Sequence, residues 1–320
     1  MRLITDLKDL QQQRYDRSIL TLGNFDGLHR GHQELINMVI TRARETGAVS
    51  MVVTFRPHPL KILCPEKCPP LISIYEEKIK LIGDLGIDVL VKIPFTLEFA
   101  GMAPEAFVRD ILCNMLGARE IFVGANYRFG RERKGTVQTL SALGRECGFI
   151  VREVEQISFG GEVISSTKIR QLLKDGEVGH AARLLGRDYA ITGVVVRGDG
   201  RGRTLGFPTA NIAPKHAIIP CHGVYAVRLY VRERFYDGIA NIGVRPTFDK
   251  QILSIEANLF DFNEDIYGEE ISVYFLEKIR NEKKFGSVDE LVSQIRHDVE
   301  AARRSHDARR HATAADVKAG

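Results

Sequence analysis

The chain has 320 residues, 44% hydrophobic and 27% charged, with a formal net charge of +4, a globular composition long enough for one large domain or two medium ones. No apolar run approaches the ~20 residues of a membrane span, and Asp6, Lys8 and Asp9 stand where a signal peptide would need an apolar core, so neither membrane insertion nor secretion is expected. Most of the net charge sits in 301–320 (Arg303, Arg304, Arg309, Arg310 and Lys318 against Asp307 and Asp316) and not on a folded basic face, so nucleic acid is not an expected partner; five scattered cysteines predict reduced thiols in the cytoplasm.

From the N-terminus, Ser18–Leu22 reads as a strand and His32–Glu45 as a helix with Leu35, Ile36, Val39, Ile40 and Ala43 on one face. Strand runs then follow at Val49–Phe55, Ile87–Ile93, Glu120–Gly124 and Phe149–Val154. Helical patterns at Tyr75–Leu85, Ala103–Leu116 and Gln138–Cys147 separate them. Continuously apolar strands alternating with helices predict an open α/β domain with a parallel sheet covered on both faces. Ligands of such sheets sit beyond the C-terminal ends of the strands.

Thr167–Gly186 reads as one or two helices interrupted at Asp175-Gly176, and a first domain is expected to span 1–186. Tyr189–Arg197, Val224–Val231, Phe235–Ile242, Leu253–Leu259 and Glu270–Leu276 are strand-like runs with little helix between them. They predict an antiparallel barrel or sandwich over 187–302, closed by an amphipathic helix at Val288–Ala302. The Ala-rich segment 303–320 is expected to be a disordered tail.

The first chemical constellation is Gly23-Asn24-Phe25-Asp26-Gly27-Leu28-His29-Arg30-Gly31-His32, between the first strand and the first helix. Glycines permit a tight turn and close backbone approach, and free N–H groups at a helix start favour an anion. Two histidines separated by Arg-Gly can both donate to a phosphate on which charge builds up. Surface loop histidines are the bland alternative, and a zinc reading lacks further ligands.

HxGH after a first strand resembles the nucleotidyltransferase superfamily. The longer string is similar to the N-terminal module of bacterial bifunctional riboflavin kinase/FAD synthetases, a Rossmann-like nucleotidyltransferase domain. Thr54-Phe55-Arg56-Pro57-His58-Pro59, Val123-Gly124-Ala125-Asn126-Tyr127-Arg128-Phe129-Gly130 and Ile164-Ser165-Ser166-Thr167-Lys168-Ile169-Arg170 match the same module. The resemblance implies His29 and His32 as catalytic residues. It implies Gly23, Phe25, Asp26, Gly31, Asn126, Ser166, Thr167 and Arg170 as nucleotide-binding, and Pro57 and His58 as flavin-binding. On residue type alone, Ser165–Thr167 also fits a plain helix cap and Arg170 a solvated helix face. Gly130-Arg131-Glu132-Arg133-Lys134-Gly135-Thr136 has P-loop glycine spacing but lacks the lysine and the strand-to-helix context, and reads as a surface loop.

The second constellation runs from Arg197 to Asn211, with Gly198, Gly200, Gly202 and Gly206 among Arg197, Arg201 and Arg203, and ends in Phe207-Pro208-Thr209-Ala210-Asn211. Such a loop makes a flexible phosphate cradle, and Thr209 and Asn211 offer neutral oxygens to Mg²⁺. GRGRTLGFPTAN resembles the ATP and magnesium motif of riboflavin kinases. Gly223-Val224-Tyr225, Asn241-Ile242-Gly243-Val244-Arg245-Pro246-Thr247-Phe248 and Glu256 match other landmarks of that family. The resemblance implies an antiparallel β-barrel with a terminal helix. It implies Gly200, Gly202, Gly206 and Thr209 on ATP, Thr209 and Asn211 on Mg²⁺, Glu256 as general base, and Arg280 and Lys284 around the flavin. Many relatives carry a histidine where this chain has Asn258.

The implied function is two-step cofactor synthesis covering about 18–302. The barrel phosphorylates riboflavin with ATP, and the α/β module transfers AMP from ATP to FMN, giving FAD and pyrophosphate. Riboflavin, FMN and ATP are the expected partners and Mg²⁺ the expected metal, in a monomer or weak homo-oligomer. One idle module, or a flavin- or nucleotide-sensing binding protein, are the alternatives.

Overall fold

The computed structural model describes residues 1–12, 15–198, 200–246 and 251–319. The chain divides into two compact units, Met1–Ser166 and Thr167–Gly320.

The first unit holds a six-stranded sheet in the order β1-β4-β3-β2-β5-β6. Its strands are β1 (Arg2–Ile4), β2 (Ser18–Leu22), β3 (Val49–Arg56), β4 (Val89–Pro94), β5 (Ala118–Gly124) and β6 (Ile150–Val154). Every pairing is parallel. Alternate residues of these apolar strands serve opposite faces. Leu20, Leu22, Met51 and Val53 join one core layer, and Ile19 and Val52 join the other with Ile36, Val39 and Ile82. Strand order reverses between β2 and β5, which places the ligand crevice at their C-terminal ends.

The helix Arg30–Thr46 buries Ile36, Val39, Ile40 and Ala43 and ends at Gly47 in the left-handed conformation. The helix expected over 103–116 is a short turn, Pro104–Ala106, continuing into a π-helix, Phe107–Met115. A hairpin of β7 (Ser158–Phe159) and β8 (Glu162–Val163) was not predicted, because two-residue strands carry no readable period.

The second unit is a closed antiparallel barrel in the order β10-β13-β12-β11-β14-β9. The strands are β9 (Tyr189–Val196), β10 (Ala210–Pro214), β11 (Gly223–Val231), β12 (Arg234–Pro246), β13 (Gln251–Leu259) and β14 (Glu270–Arg280). β9 closes the barrel by pairing with both β10 and β14. Tyr225 and Phe275 meet edge to face inside, with centroids 5.4 Å apart.

Helices Ser166–Asp175 and Val178–Leu185 bury Leu172, Leu173, Val178, Ala181, Leu184 and Leu185. The Cys221 N–H donates to the Leu173 carbonyl at 3.2 Å. The helix pair therefore packs with the barrel, in the compact unit that begins at Thr167.

The expected disordered tail is instead helical: the terminal helix runs Val288–Ala319. His306 is buried with Nε2 3.1 Å from the Gly238 carbonyl, Arg309 pairs with Asp188 at 2.8 Å, and Arg310 with Asp237 at 2.7 Å. Alanine and arginine are strong helix formers, and these contacts dock the extra turns.

Candidate active sites

The β2–helix corner has an unusual backbone. Phe25 (φ 47°) and Leu28 (φ 38°) join Gly27 (φ 79°) in the left-handed region, which non-glycine residues hold only when their surroundings over-determine them. Here the side chains of Phe25 and Leu28 are locked in the core. The Asp26 carboxylate accepts the Ile72 N–H at 3.0 and 3.2 Å and the Ser73 N–H at 3.3 Å. Ser166 Oγ donates to the Asp26 carbonyl at 2.9 Å, and Lys78 Nζ to the Asn24 carbonyl at 2.8 Å. The Asp26 carboxylate thus braces the corner from inside.

His29 caps the following helix, its Nδ1 accepting the His32 N–H at 3.3 Å. In the neutral ring this leaves Nε2 carrying the proton. His32 stacks on His29 with centroids 3.6 Å apart and meets Phe25 edge-on at 5.2 Å. Burial, with His29 and Lys78 nearby, holds the His32 pKa well below 6.5, so this ring is neutral at physiological pH. Its Nδ1 is buried without a hydrogen-bond partner among the described residues, a cost of ~1–3 kcal/mol that a functional site can carry.

At the end of β3, His58 Nδ1 accepts the Leu60 N–H at 3.2 Å, and Nε2 lies 3.1 Å from Asn24 Nδ2. Pro57 and His58 therefore adjoin the corner formed by Gly23, Phe25, Gly31, His29, His32 and Ser166. Asn126 lies in an exposed turn after β5. Thr167 and Arg170 continue the helix that Ser166 opens, exposed and half-buried respectively.

Sequence reading missed Lys78, which is 5% exposed. Burial pushes its pKa down to about 8 against the pull of Asp26. Its Nζ sits 4.6 Å from the Tyr75 ring, on which Arg56 also lies at 4.7 Å. Within Glu76-Glu77-Lys78-Ile79-Lys80 such a lysine reads as a solvated face.

In the barrel unit two cavities share Thr209. One, about 310 Å³, is lined by Glu256, Asn258, Asn241, Arg280 and Phe285, with Leu291 of the terminal helix. The other, about 350 Å³, is lined by Gly198, Gly200, Pro208, Asn211 and Tyr267. Strand register sets Asn211 and Asn241 on either side of Glu256. Ser254 Oγ donates to Glu256 Oε1 at 3.1 Å, and Asn258 Nδ2 to the Pro208 carbonyl at 2.7 Å.

Gly200 (φ 70°) and Gly206 (φ 85°) take left-handed backbone, and a Cβ on Gly202 would strike the Phe207 carbonyl. Arg280 donates to the buried Asp298 at 2.8–3.0 Å. Lys284 is exposed and outside the cavity lining; Lys283 lines it and pairs with Glu290 at 3.2 Å. Asp199, Thr247 and Phe248 lie outside the described residues.

Among the described residues no group of three His, Cys, Asp or Glu could hold a metal. The neutral oxygens of Thr209 and Asn211, both lining the second cavity, would fit Mg²⁺ in company with phosphates that supplied the remaining ligands. No helix among the described residues is long and apolar enough to cross a membrane.

The family described as FAD synthetase matches residues 11–168, and the riboflavin kinase family matches 185–306. The bifunctional riboflavin kinase/FMN adenylyltransferase of Escherichia coli K12 is 39% identical over 304 residues, covering 95% of this chain and 97% of that one. Its namesake in Bacillus subtilis 168 is 39% identical over 305 residues, covering 93% and 96%. A crystal structure described as a macrolide-efflux protein from Streptococcus pneumoniae superposes with a TM-score of 0.85 at 34% identity, covering 95% of this chain and 99% of that one. With both matches present in this order, the chain belongs to the bifunctional riboflavin kinase/FMN adenylyltransferase family, making FMN from riboflavin with its C-terminal part and FAD from FMN with its N-terminal part.

Proposed function

We propose that the two activities reside in the two glycine corners and that His29, His32 and Glu256 are their catalytic residues. In adenylyl transfer the FMN phosphate, already ionised at neutral pH, attacks the α-phosphorus of ATP, and the bond to the bridging oxygen breaks as pyrophosphate leaves. No general base is needed. The histidines donate to the oxygens on which charge develops. The observation that carries this reading is the stacked pair at the helix start, with His32 held neutral and its Nδ1 unmatched. Gly23, Phe25, Gly31, Asn126, Ser166, Thr167 and Arg170 would bind ATP, and Pro57 and His58 the flavin.

In the barrel, Glu256 accepts the 5′-hydroxyl proton of riboflavin as its oxygen attacks the γ-phosphorus of ATP and ADP leaves. Support comes from Glu256 and Thr209 lining one cavity while Thr209 and Asn211 line the other. Riboflavin would occupy the first with Arg280, and ATP the second over Gly200, Gly202 and Gly206. Mg²⁺ held by Thr209 and Asn211 would neutralise phosphate charge. Free thiols at all five cysteines support a cytoplasmic enzyme, acting as a monomer or weak homo-oligomer. The test assays each half-reaction separately. His32→Ala should strongly lower FAD formation from FMN and spare FMN formation, and Glu256→Gln should strongly lower FMN formation and spare FAD formation from FMN. Loss of both activities in either folded variant would refute the assignment.

A further inference from the structure

Among the described residues Lys78 is the only buried lysine or arginine. Its ammonium has three donors, and the Asn24 carbonyl at 2.8 Å is its one hydrogen-bond acceptor there. The nearby Asp26 carboxylate is committed to the Ile72 and Ser73 N–H groups. A buried cation so placed lacks a bonded counter-ion.

Its position says which anion it awaits. Asn24 follows β2, its amide meets His58 beyond β3, and Arg56 at the end of β3 shares the Tyr75 ring. Lys78 therefore lies on the β3 side of the corner, with Asn126 beyond β5 on the other side. The helix start with its histidines lies between them. If ATP presents its α-phosphate to that start from the β5 side, the attacking phosphate must enter from the β3 side.

We propose that Lys78 binds the phosphate of FMN and holds it for attack on ATP. This rests on the histidine corner being the adenylyl-transfer site. Lys78 keeps its proton throughout: the new bond joins an FMN phosphate oxygen to the α-phosphorus, and the electron pair of the broken bond leaves with pyrophosphate. The titratable and charged groups around it are Asp26, His29 and His32, Tyr75, and Arg56 and His58 at the end of β3.

The test uses the full chain with Lys78→Met, Lys78→Arg and His32→Ala, measuring FAD formation against FMN and ATP separately. Lys78→Met should raise KM for FMN about tenfold or more, leave KM for ATP within about twofold, and leave riboflavin phosphorylation intact. In the wild type, kcat/KM for FMN should fall as pH rises through about 8. Lys78→Arg should remove that fall, because arginine stays charged. Unchanged FMN dependence in Lys78→Met, or equal effects on FMN and ATP, with His32→Ala inactive, would reduce Lys78 to a loop brace. Full activity in His32→Ala would instead overturn the site on which the inference rests.

Discussion

At the scale of single residues, the chemistry turns on which side chains face the ligand and which hold the loop. The placing of His29 and His32 together at a helix start was legible because two histidines, glycines and a strand-to-helix change coincide in ten residues. Asp26 stands in the same string, yet its carboxylate is spent on Ile72 and Ser73, a partnership fixed by tertiary structure that no local pattern encodes. The same limit hid the burial of Lys78. His32→Ala should lower FAD formation by ~10²–10³-fold, the usual effect of losing one preorganised donor, as read by chromatography of FMN-to-FAD turnover. The lowered His32 pKa also fixes a sign. Its ring stays neutral as pH rises and charges only well below 6.5, so adenylyl transfer should show no inflection from this residue between pH 6.5 and 8.

At the scale of elements, hydrophobic period located the longer strands of both units because a buried strand must be continuously apolar or alternate. β1 and β10 are not among them: β1 has only three residues, and the five of β10 include Pro214 and belong to a motif read for chemistry. The terminal helix was cut short because polar, Ala-rich sequence without a stripe reads as unfolded, although ion pairs and the buried His306 dock it.

Glu120 of β5 ties two neighbours, accepting from Arg42 of the Arg30–Thr46 helix at 2.8 Å and from Arg152 of β6 at 2.7 Å. Burial raises the pKa of this carboxylate, but the two guanidinium groups more than offset that and leave it lowered. Its stabilisation is therefore present above the ordinary carboxylate range and lost as pH falls through the lowered folded value. Glu120→Gln should cost about 1–2 kcal/mol at pH 7 by denaturant melts, with the difference shrinking in acid.

At the scale of the molecule, the chain joins a parallel sheet that presents a helix start with a barrel that presents two cavities meeting at Thr209. Each unit has its own apolar core and its own proposed polyphosphate corner, so damage to one should leave the other's kinetics unchanged. Glu256→Gln should slow riboflavin phosphorylation by ~10²–10⁴-fold, the range for a lost general base, while FAD formation from supplied FMN keeps its wild-type rate.

Independence of the two corners is tested most directly by complementation in solution. Equimolar His32→Ala and Glu256→Gln chains, mixed with riboflavin, ATP and Mg²⁺, should accumulate FAD far faster than either chain does alone from riboflavin. Mixtures that stall at riboflavin or at FMN, with both variants folded, would contradict the account.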